Sequence, residues 1–465
     1  MTCCIMGSHR VFTRKSRVVL AIVLVFILIS FLGLHNEQLI SFDSTKKSWM
    51  EKYGSLYPEH INDVLRILDI TPNLWGYRGQ KNLRNETISS RIHAQIEWIK
   101  QLAGTQFIKN VKRKKILVYL EPNPGDQYFF TGNKLKCPYA PEFEDKCDLV
   151  LENMGWRHLL KNHPSKSHYR KLGIDAVIGI RNGYWGQDTE FWNSEPTFPP
   201  NVQQIFYVFE SPCHTASAQL GINNALLASY WRGADIPIPY RHFTKDATYH
   251  YNNNGESIED INHEDVRKLA VALISNCVSV KNDRMGYIQQ LRKYIPVDVF
   301  GQCRSTHQNT CPPGRDCLEY LGSQYKFYLA FENCNCEDYI TEKLFVNGLQ
   351  YKMVPVVMGA APENYKSVAP PHSFIHVNDF ASPQQLANYL KLLDKNETLF
   401  AKYGEWRQSQ TRWHLTTALG ADFFCRACAL FYYGDFRPPP SYPSSSTRWA
   451  DLNKCLPKNI WRWPD

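Results

Sequence analysis

Residues Lys326–Gly359, KFYLAFENCNCEDYITEKLFVNGLQYKMVPVVMG, constrain this chain most. Phe327–Phe331 is an uninterrupted apolar run, the pattern of a strand buried on both faces of a parallel sheet. Glu332 and Asn333 follow at once, and Asp338 offers an N-cap. Tyr339–Gln350 then reads as a helix and Val354–Met358 as the next strand. The whole is a β–loop–α–β unit. In such a unit the helix N-terminus lies outside the carboxyl end of the first strand. Free N–H groups and the helix dipole favour anions there, above all diphosphates. Lys343 lies early in this helix, where its charge opposes the dipole; an anionic ligand explains it better than helix stability. Glu342 could accept hydrogen bonds from two ribose hydroxyls. An ordinary unit with a solvated Glu-Lys pair shares this pattern.

Strands also read at Ile116–Leu120, Leu149–Leu151, Ala176–Ile180 and Ile205–Phe209, with helical stretches such as Gly155–Asn162 between them. This alternation argues for an α/β layer with a mainly parallel sheet. We place a first lobe at 115–255, with TYHYNNNG (Thr248–Gly255) as its boundary loop, and a second at 256–430. The second opens with a helix at Glu264–Leu269 and a strand at Val271–Asn276. It continues through strands at Val297–Gly301 and Ser373–Val377. Residues 431–465 are Pro/Ser-rich and read as a loose tail. Its closing tryptophans have no evident partner. At 465 residues the chain is long enough for two domains with appendages.

Val18–Leu34 is apolar and uncharged, just long enough to span a bilayer. No small-residue cleavage site follows it directly. Arg10, Arg14, Lys15 and Arg17 precede it, so the positive-inside rule puts residues 1–17 in the cytosol and the rest in a lumen. The reading is a type II signal anchor at 18–34, in the Golgi membrane. Residues 35–114 form a stem, with amphipathic helices at Glu51–Ile70 and Ile88–Ala103, that could also carry homo-oligomer contacts. Of 14 cysteines, Cys3 and Cys4 fall on the cytosolic side; the other twelve face an oxidising compartment and should form disulfides. A zinc site at Cys425-x-x-Cys428 is disfavoured, because no second CxxC pair exists. Asn85 and Asn396 head N-glycosylation sequons. The net charge of +9 comes partly from the first 17 residues, and nothing here points to nucleic acid.

Three further stretches carry chemistry. Phe209-Glu210-Ser211-Pro212 ends an apolar strand, and a carboxylate there faces the crevice of an α/β layer. Such an acid more often only bonds nearby amides. SYWRGADIPIPY (Ser229–Tyr240) has the composition of a turn-rich edge strand. Arg284 follows SNC…KNDR and opens a helix through Leu291. An arginine fork can grip two phosphate oxygens, although a lone arginine is usually a surface group.

The stretch FYLAFEN-x4-DYITEKLF-x-N-x-L…VPVV resembles the donor-binding signature of the α1,3-fucosyltransferases. FESP-x-H and SYWRGADIPIPY are similar to the family's acceptor-side stretches. Cys334 departs from the family's usual Ser and Gly348 from its frequent Ala; Trp231, Gly233 and Ala234 also depart. The resemblance implies a GT-B architecture: two Rossmann-like lobes facing a central cleft, one for the acceptor and one for GDP-fucose. It implies an inverting, GDP-fucose-dependent enzyme with Glu210 as general base and Arg284 on the diphosphate. Asn333, Tyr339, Glu342 and Lys343 would hold the donor, with Glu332 lining its site. No metal is required, with stimulation by Mn2+ or Mg2+ allowed; no DxD follows a strand. The Lewis-type members carry a His-His stretch where this chain reads IGIRNGY from Ile178, which favours the core N-acetylglucosamine of an N-glycan on a glycoprotein. An antennal acceptor, a different donor, or a non-catalytic membrane-anchored lectin or nucleotide-sugar-binding protein are the alternatives.

Overall fold

The structure is a computed structural model. It describes residues 87–119, 135, 137, 139–152, 173–181, 202–214, 226–244, 268–277, 280–304, 306, 309–351, 353–408, 414–417, 421–434, 454–462 and 464. Val18–Leu34, Glu51–Ile70, Asn85, Gly155–Asn162 and Thr248–Gly255 lie outside the described residues. The chain divides into two compact units, and every described residue belongs to the one formed by 73–434 with 438–465. Among the described residues no helix is long and apolar enough to cross a membrane.

The architecture is mixed α/β, built on two parallel sheets. The first holds β1 (Lys114–Tyr119), β2 (Cys147–Glu152), β3 (Ala176–Arg181), β4 (Gln203–Val208), β5 (Leu226–Ser229) and β6 (Ile236–Pro237). Their order is β2-β1-β3-β4-β5-β6, with every pairing parallel. Ile116, Leu117 and Val118 are successive and fully buried, so both faces of β1 are covered. β7 (Arg241–Thr244) lies outside this sheet and pairs antiparallel with β13 (His414–Thr417).

The second sheet holds β8 (Lys268–Leu273), β9 (Val297–Phe300), β10 (Tyr325–Phe331), β11 (Val354–Met358) and β12 (Ile375–His376), in the order β12-β11-β10-β8-β9. Lys268 and Leu269, expected to end a helix, instead begin β8, paired to β10 through Lys268↔Tyr325. Phe327, Leu329 and Phe331 pack into one apolar cluster, while Tyr328 and Ala330 pack into another on the opposite face. This two-residue alternation is what the uninterrupted apolar run requires. After β8 the chain runs to β9 on one side, then to β10 on the other. The β8–β10 gap is therefore a topological switch point, where an open parallel sheet leaves a crevice.

Further expectations need correction. The helix after β10 runs Lys343–Gln350 with π geometry rather than starting at Tyr339. Asp338 is not its N-cap: it takes a left-handed backbone (φ 58°), and its carboxylate is held by Arg232. A Cβ on Gly348 would sit 2.7 Å from Pro355 Cβ, which explains glycine where this helix presses on β11. The Ile88–Ala103 helix, assigned to the stem, is packed into the folded body: Ile88, Ile92 and Ile96 enter the cluster of Tyr328 and Ala330. Thr87 and Ser90 close a capping box at its start. Finally, the tail is not loose throughout. Residues 454–462 return to the loop after β10, where Leu456 N–H donates to Asn335 O at 2.7 Å.

The Ala421–Gly434 helix, expected to close the second lobe, packs on the first sheet. Cys425 bonds Cys137 and Cys428 bonds Cys147, and the Phe423 ring lies 5.6 Å from Tyr207. The remaining disulfides are Cys213–Cys334, Cys277–Cys303, Cys311–Cys317 and Cys336–Cys455. All twelve cysteines expected in the oxidising compartment are thus paired.

Candidate active site

Arg284 marks the switch point of the second sheet. It opens the Arg284–Leu291 helix, N-capped by Asp283. Its guanidinium donates to Phe331 O, at the carboxyl end of β10, at 2.8 Å, and to Asn276 O, beyond β8, at 2.9 Å. The buried cation thereby spans the β8–β10 gap where an anion would enter.

Glu332, the next residue after β10, is fully buried. Its carboxylate accepts from Thr341 N at 2.8 Å and Thr341 Oγ1 at 2.9 Å, and pairs with Lys343 at 3.2 Å. Burial raises its pKa against the opposing pull of Lys343. A Cβ on Gly359 would meet Glu332 Cγ at 2.7 Å, so glycine lets this acid fit beside β11. Glu332 thus organises the loop and reaches outward only through Lys343. Lys343 Nζ also bonds Glu342 at 2.9 Å. Burial would lower the lysine pKa, but Glu332 and Glu342 outweigh it and raise it. Burial likewise opposes ionisation of Glu342, yet Lys343 and Thr341 bring it below the usual carboxylate range. The Glu342 side chain is 49% exposed, open to a ligand at the helix start.

Glu210 comes from the first sheet, two residues past β4. Its Oε1 accepts from Ser211 N at 2.7 Å, Tyr339 OH at 2.8 Å and Asn333 Nδ2 at 3.4 Å. Carboxylate and donor-loop residues from the two sheets therefore share one site. Tyr339, expected on the donor, stands here with its hydroxyl on Glu210. Its ring lies 5.0 Å from Tyr230 and 6.4 Å from Tyr240. Burial and then the neighbouring Tyr240 and Glu210 push its pKa well up, so it remains a donor. Ser211 Oγ, His214 Nε2 and Asn333 Oδ1 are buried with no hydrogen-bond partner among the described residues. Buried polar atoms are ordinarily satisfied, so three orphans around one carboxylate mark where a hydroxyl-rich ligand would bind. Burial lowers the His214 pKa, against the opposing pull of Glu210.

The Ser229–Tyr240 stretch is tied in from both sides. Arg91 donates to Arg232 O and Ala234 O, Gln95 to Asp235 O, and Arg426 to Pro237 O. Arg232 forks onto Asp338, with Nη2–Oδ1 at 2.6 Å and Nε–Oδ2 at 2.8 Å. Burial opposes the Arg232 charge, and Asp338 more than restores it. A Cβ on Gly233 would stand 2.3 Å from the Trp231 ring, so these two departures from the family pattern belong together. Sequence reasoning missed the Arg232–Asp338 pair, His214 and the returning C-terminal segment. The histidine alone had a signal, its place in FESP-x-H.

Asn396 caps the Glu397–Ala401 helix by accepting from Leu399 N at 3.0 Å. The cap uses Oδ1 and not the Nδ2 that a glycan would occupy. Among the described residues the only metal-compatible cluster is Cys213, Cys334, Cys336 and Cys455, all in disulfides.

A carboxylate carried by one parallel sheet, set against a cation-lined crevice of a second, is the equipment of a group-transfer enzyme acting on an activated sugar. A family model described as "Glycosyltransferase family 10 (fucosyltransferase) C-term" matches residues 264–436. Glycoprotein 3-alpha-L-fucosyltransferase A of Drosophila melanogaster is 35% identical over 429 residues, 90% of this chain and 75% of that protein. 4-galactosyl-N-acetylglucosaminide 3-alpha-L-fucosyltransferase FUT5 of Homo sapiens is 37% identical over 235 residues, 50% of this chain and 58% of that protein. A crystal structure of an α1,3-fucosyltransferase with GDP-fucose aligns to 70% of this chain and 90% of that chain, at a TM-score of 0.42 and 17% identity. The chain belongs to glycosyltransferase family 10, the fucosyltransferases.

Proposed function

We propose that this enzyme transfers L-fucose from GDP-β-L-fucose to the 3-hydroxyl of an N-acetylglucosamine in N-glycans, forming an α1,3 link. The observation that carries the reading is Glu210 Oε1, from the first sheet, bonded to Tyr339 and Asn333 of the second. In a GT-B arrangement of two Rossmann-like lobes, the first built on the β1–β6 sheet and the second on the β8–β12 sheet, that point is the cleft. Glu210 takes the proton from the acceptor hydroxyl, whose oxygen attacks the anomeric carbon opposite GDP and inverts it. One base on the attacking side suffices. The diphosphate leaves readily when its growing charge is met, and Arg284, Lys343 and nearby main-chain amides supply that field. Glu342 receives the ribose hydroxyls, while Ser211, His214 and Asn333 offer partners to sugar hydroxyls. Stimulation by Mn2+ or Mg2+ would be accessory to this scheme.

Our preferred acceptor is the core N-acetylglucosamine. The relative matched along 90% of the chain is named for glycoprotein fucosylation, whereas FUT5, named for a galactosyl-N-acetylglucosaminide, matches half of it. We infer a Golgi type II protein anchored by Val18–Leu34, glycosylated at Asn85 and Asn396. The test is purified lumenal protein with GDP-fucose, core-exposed N-glycopeptides and lactosamine acceptors, with linkage read by mass spectrometry. Fucose on lactosamine alone would reject the core assignment; transfer from another nucleotide sugar alone would reject the donor.

A further inference from the structure

Four cysteine sulfurs meet beside Glu210. Cys213 lies three residues beyond it, Cys334 directly follows Asn333, Cys336 is two further on, and Cys455 comes from the C-terminal segment. All four Sγ atoms lie within 4.8 Å of one another. They form the disulfides Cys213–Cys334 and Cys336–Cys455, with Cys336 Sγ 3.6 Å from Cys213 Sγ and 3.5 Å from Cys334 Sγ. Val208, Tyr230, Trp231 and Tyr339 pack around them. The same apolar box therefore holds both disulfides and the tyrosine whose hydroxyl is on Glu210.

The second disulfide anchors a strap. Glu337 N donates to Lys454 O at 2.7 Å, Asn459 N to Lys281 O at 3.0 Å, and Asn335 Nδ2 to Ile460 O at 3.0 Å. Trp461 Nε1 donates to Asp283 O at 3.3 Å, and its ring lies 5.2 Å from Tyr287. These contacts brace the two loops that carry Arg284, Asn333 and Tyr339. The matched family region ends at residue 436, before the strap begins. Cys334 itself stands where the family pattern has serine.

We propose that the Cys213–Cys334 disulfide, backed by Cys336–Cys455 and the 454–462 strap, is a positioning clamp that holds Glu210 against the donor crevice. The proposal rests on the transfer reaction proposed above. Hydrogen bonds alone would let two sheet-bearing lobes slide, and displacing a reacting group by about 1 Å can cost on the order of 100-fold in rate. A covalent bond three residues from the base and one from Asn333 removes that slack. The cysteines act through Glu210 and touch no substrate.

The test is the full chain carrying C213S/C334S, which puts the family's serine at 334. The control is C311S/C317S, whose disulfide closes a local loop. The expected result for C213S/C334S is a kcat lowered roughly 10- to 100-fold, with KM for GDP-fucose and calorimetric GDP affinity within about twofold of wild type. The control should keep wild-type kinetics. A kcat within about twofold of wild type in C213S/C334S overturns the clamp, as does peptide mapping that pairs Cys213 with neither Cys334 nor Cys336. Should that variant not fold, the wild-type protein is treated with a dithiol, which closes to a cyclic disulfide as each protein disulfide becomes two thiols. A reversible kcat loss at unchanged GDP affinity supports the clamp; unchanged kcat with Cys213 and Cys334 alkylated overturns it. An inert wild type overturns both the reaction and the clamp, whereas an unaffected variant of an active wild type overturns the clamp alone.

Discussion

Tyr339 donates its hydroxyl to Glu210 Oε1 at 2.8 Å, although the two residues are 129 positions apart and follow different sheets. The contact fixes the direction of the carboxylate. Tyr339→Phe keeps the ring against Tyr230 and Tyr240 but deletes this donor. A hydrogen bond to a charged group contributes about 1.5–3 kcal/mol, so kcat should fall about 10- to 100-fold. Steady-state kinetics with saturating GDP-fucose check this; an unchanged kcat would free Tyr339 from that task.

Glu210→Gln should fold, since Tyr339 OH and Ser211 N still find a carbonyl oxygen. It cannot take a proton, so turnover should drop roughly 10²–10⁴-fold while GDP affinity is kept. Single-turnover assays beside calorimetry separate the two quantities.

Lys343→Ala removes the cation paired with fully buried Glu332. Leaving a buried charge unpaired costs about 3–5 kcal/mol. Burial already holds the Glu332 pKa above its ordinary value, and loss of the lysine raises it further. The folded state then binds more protons than the unfolded one. Stability is therefore best at acid pH and falls as pH rises through the unfolded carboxylate range towards the raised folded value. Adding Glu332→Gln should recover most of the stability but none of the GDP affinity, as melting curves and calorimetry would reveal.

His242, on β7, is buried, and its pKa is lowered to about 4 by burial, partly offset by Asp422. Its contribution to stability is present above the unfolded value of 6.5 and is lost as pH falls from there towards 4. The loss amounts to about 3 kcal/mol. Denaturant midpoints between pH 7 and pH 4 should show this slope, and His242→Gln should flatten it.

Trp231 and Gly233 should behave as a coupled pair. Gly233→Ala puts a methyl into the Trp231 ring, and overpacking of this kind costs about 1–3 kcal/mol. In a Trp231→Ala background the same change should cost close to nothing. A double-mutant cycle on stability measures the coupling, and additive effects would contradict the geometry.

Much of the scaffold was legible because its signals are local. The apolar runs at Ile116, Val177, Ile205, Phe327 and Val354 all became parallel strands. The Glu332–Lys343 stretch reached the crevice because residues that directly follow a strand of a parallel sheet must emerge at its carboxyl edge, and Arg284 because it opens the helix that follows β8. Asp338 misled for the opposite reason. A polar residue before a helical pattern resembles a cap, and nothing nearby in the chain announces that Arg232, 106 residues away, will claim it. The returning strap was hidden behind a Pro/Ser-rich stretch whose composition speaks only for itself.

From the sequence alone came the α/β class, the strands covered on both faces, the expectation of an anion-receptive turn after β10 and the expectation that twelve of the cysteines would pair. Each follows from side-chain periodicity or residue chemistry within a few positions. Which cysteine meets which, why Tyr339 faces Glu210, and how residues 454–462 come to lie on the loop after β10 were decided only in the tertiary structure. Those contacts join segments roughly 100 to 300 residues apart, and such pairings are set by packing of the whole body rather than by any local pattern.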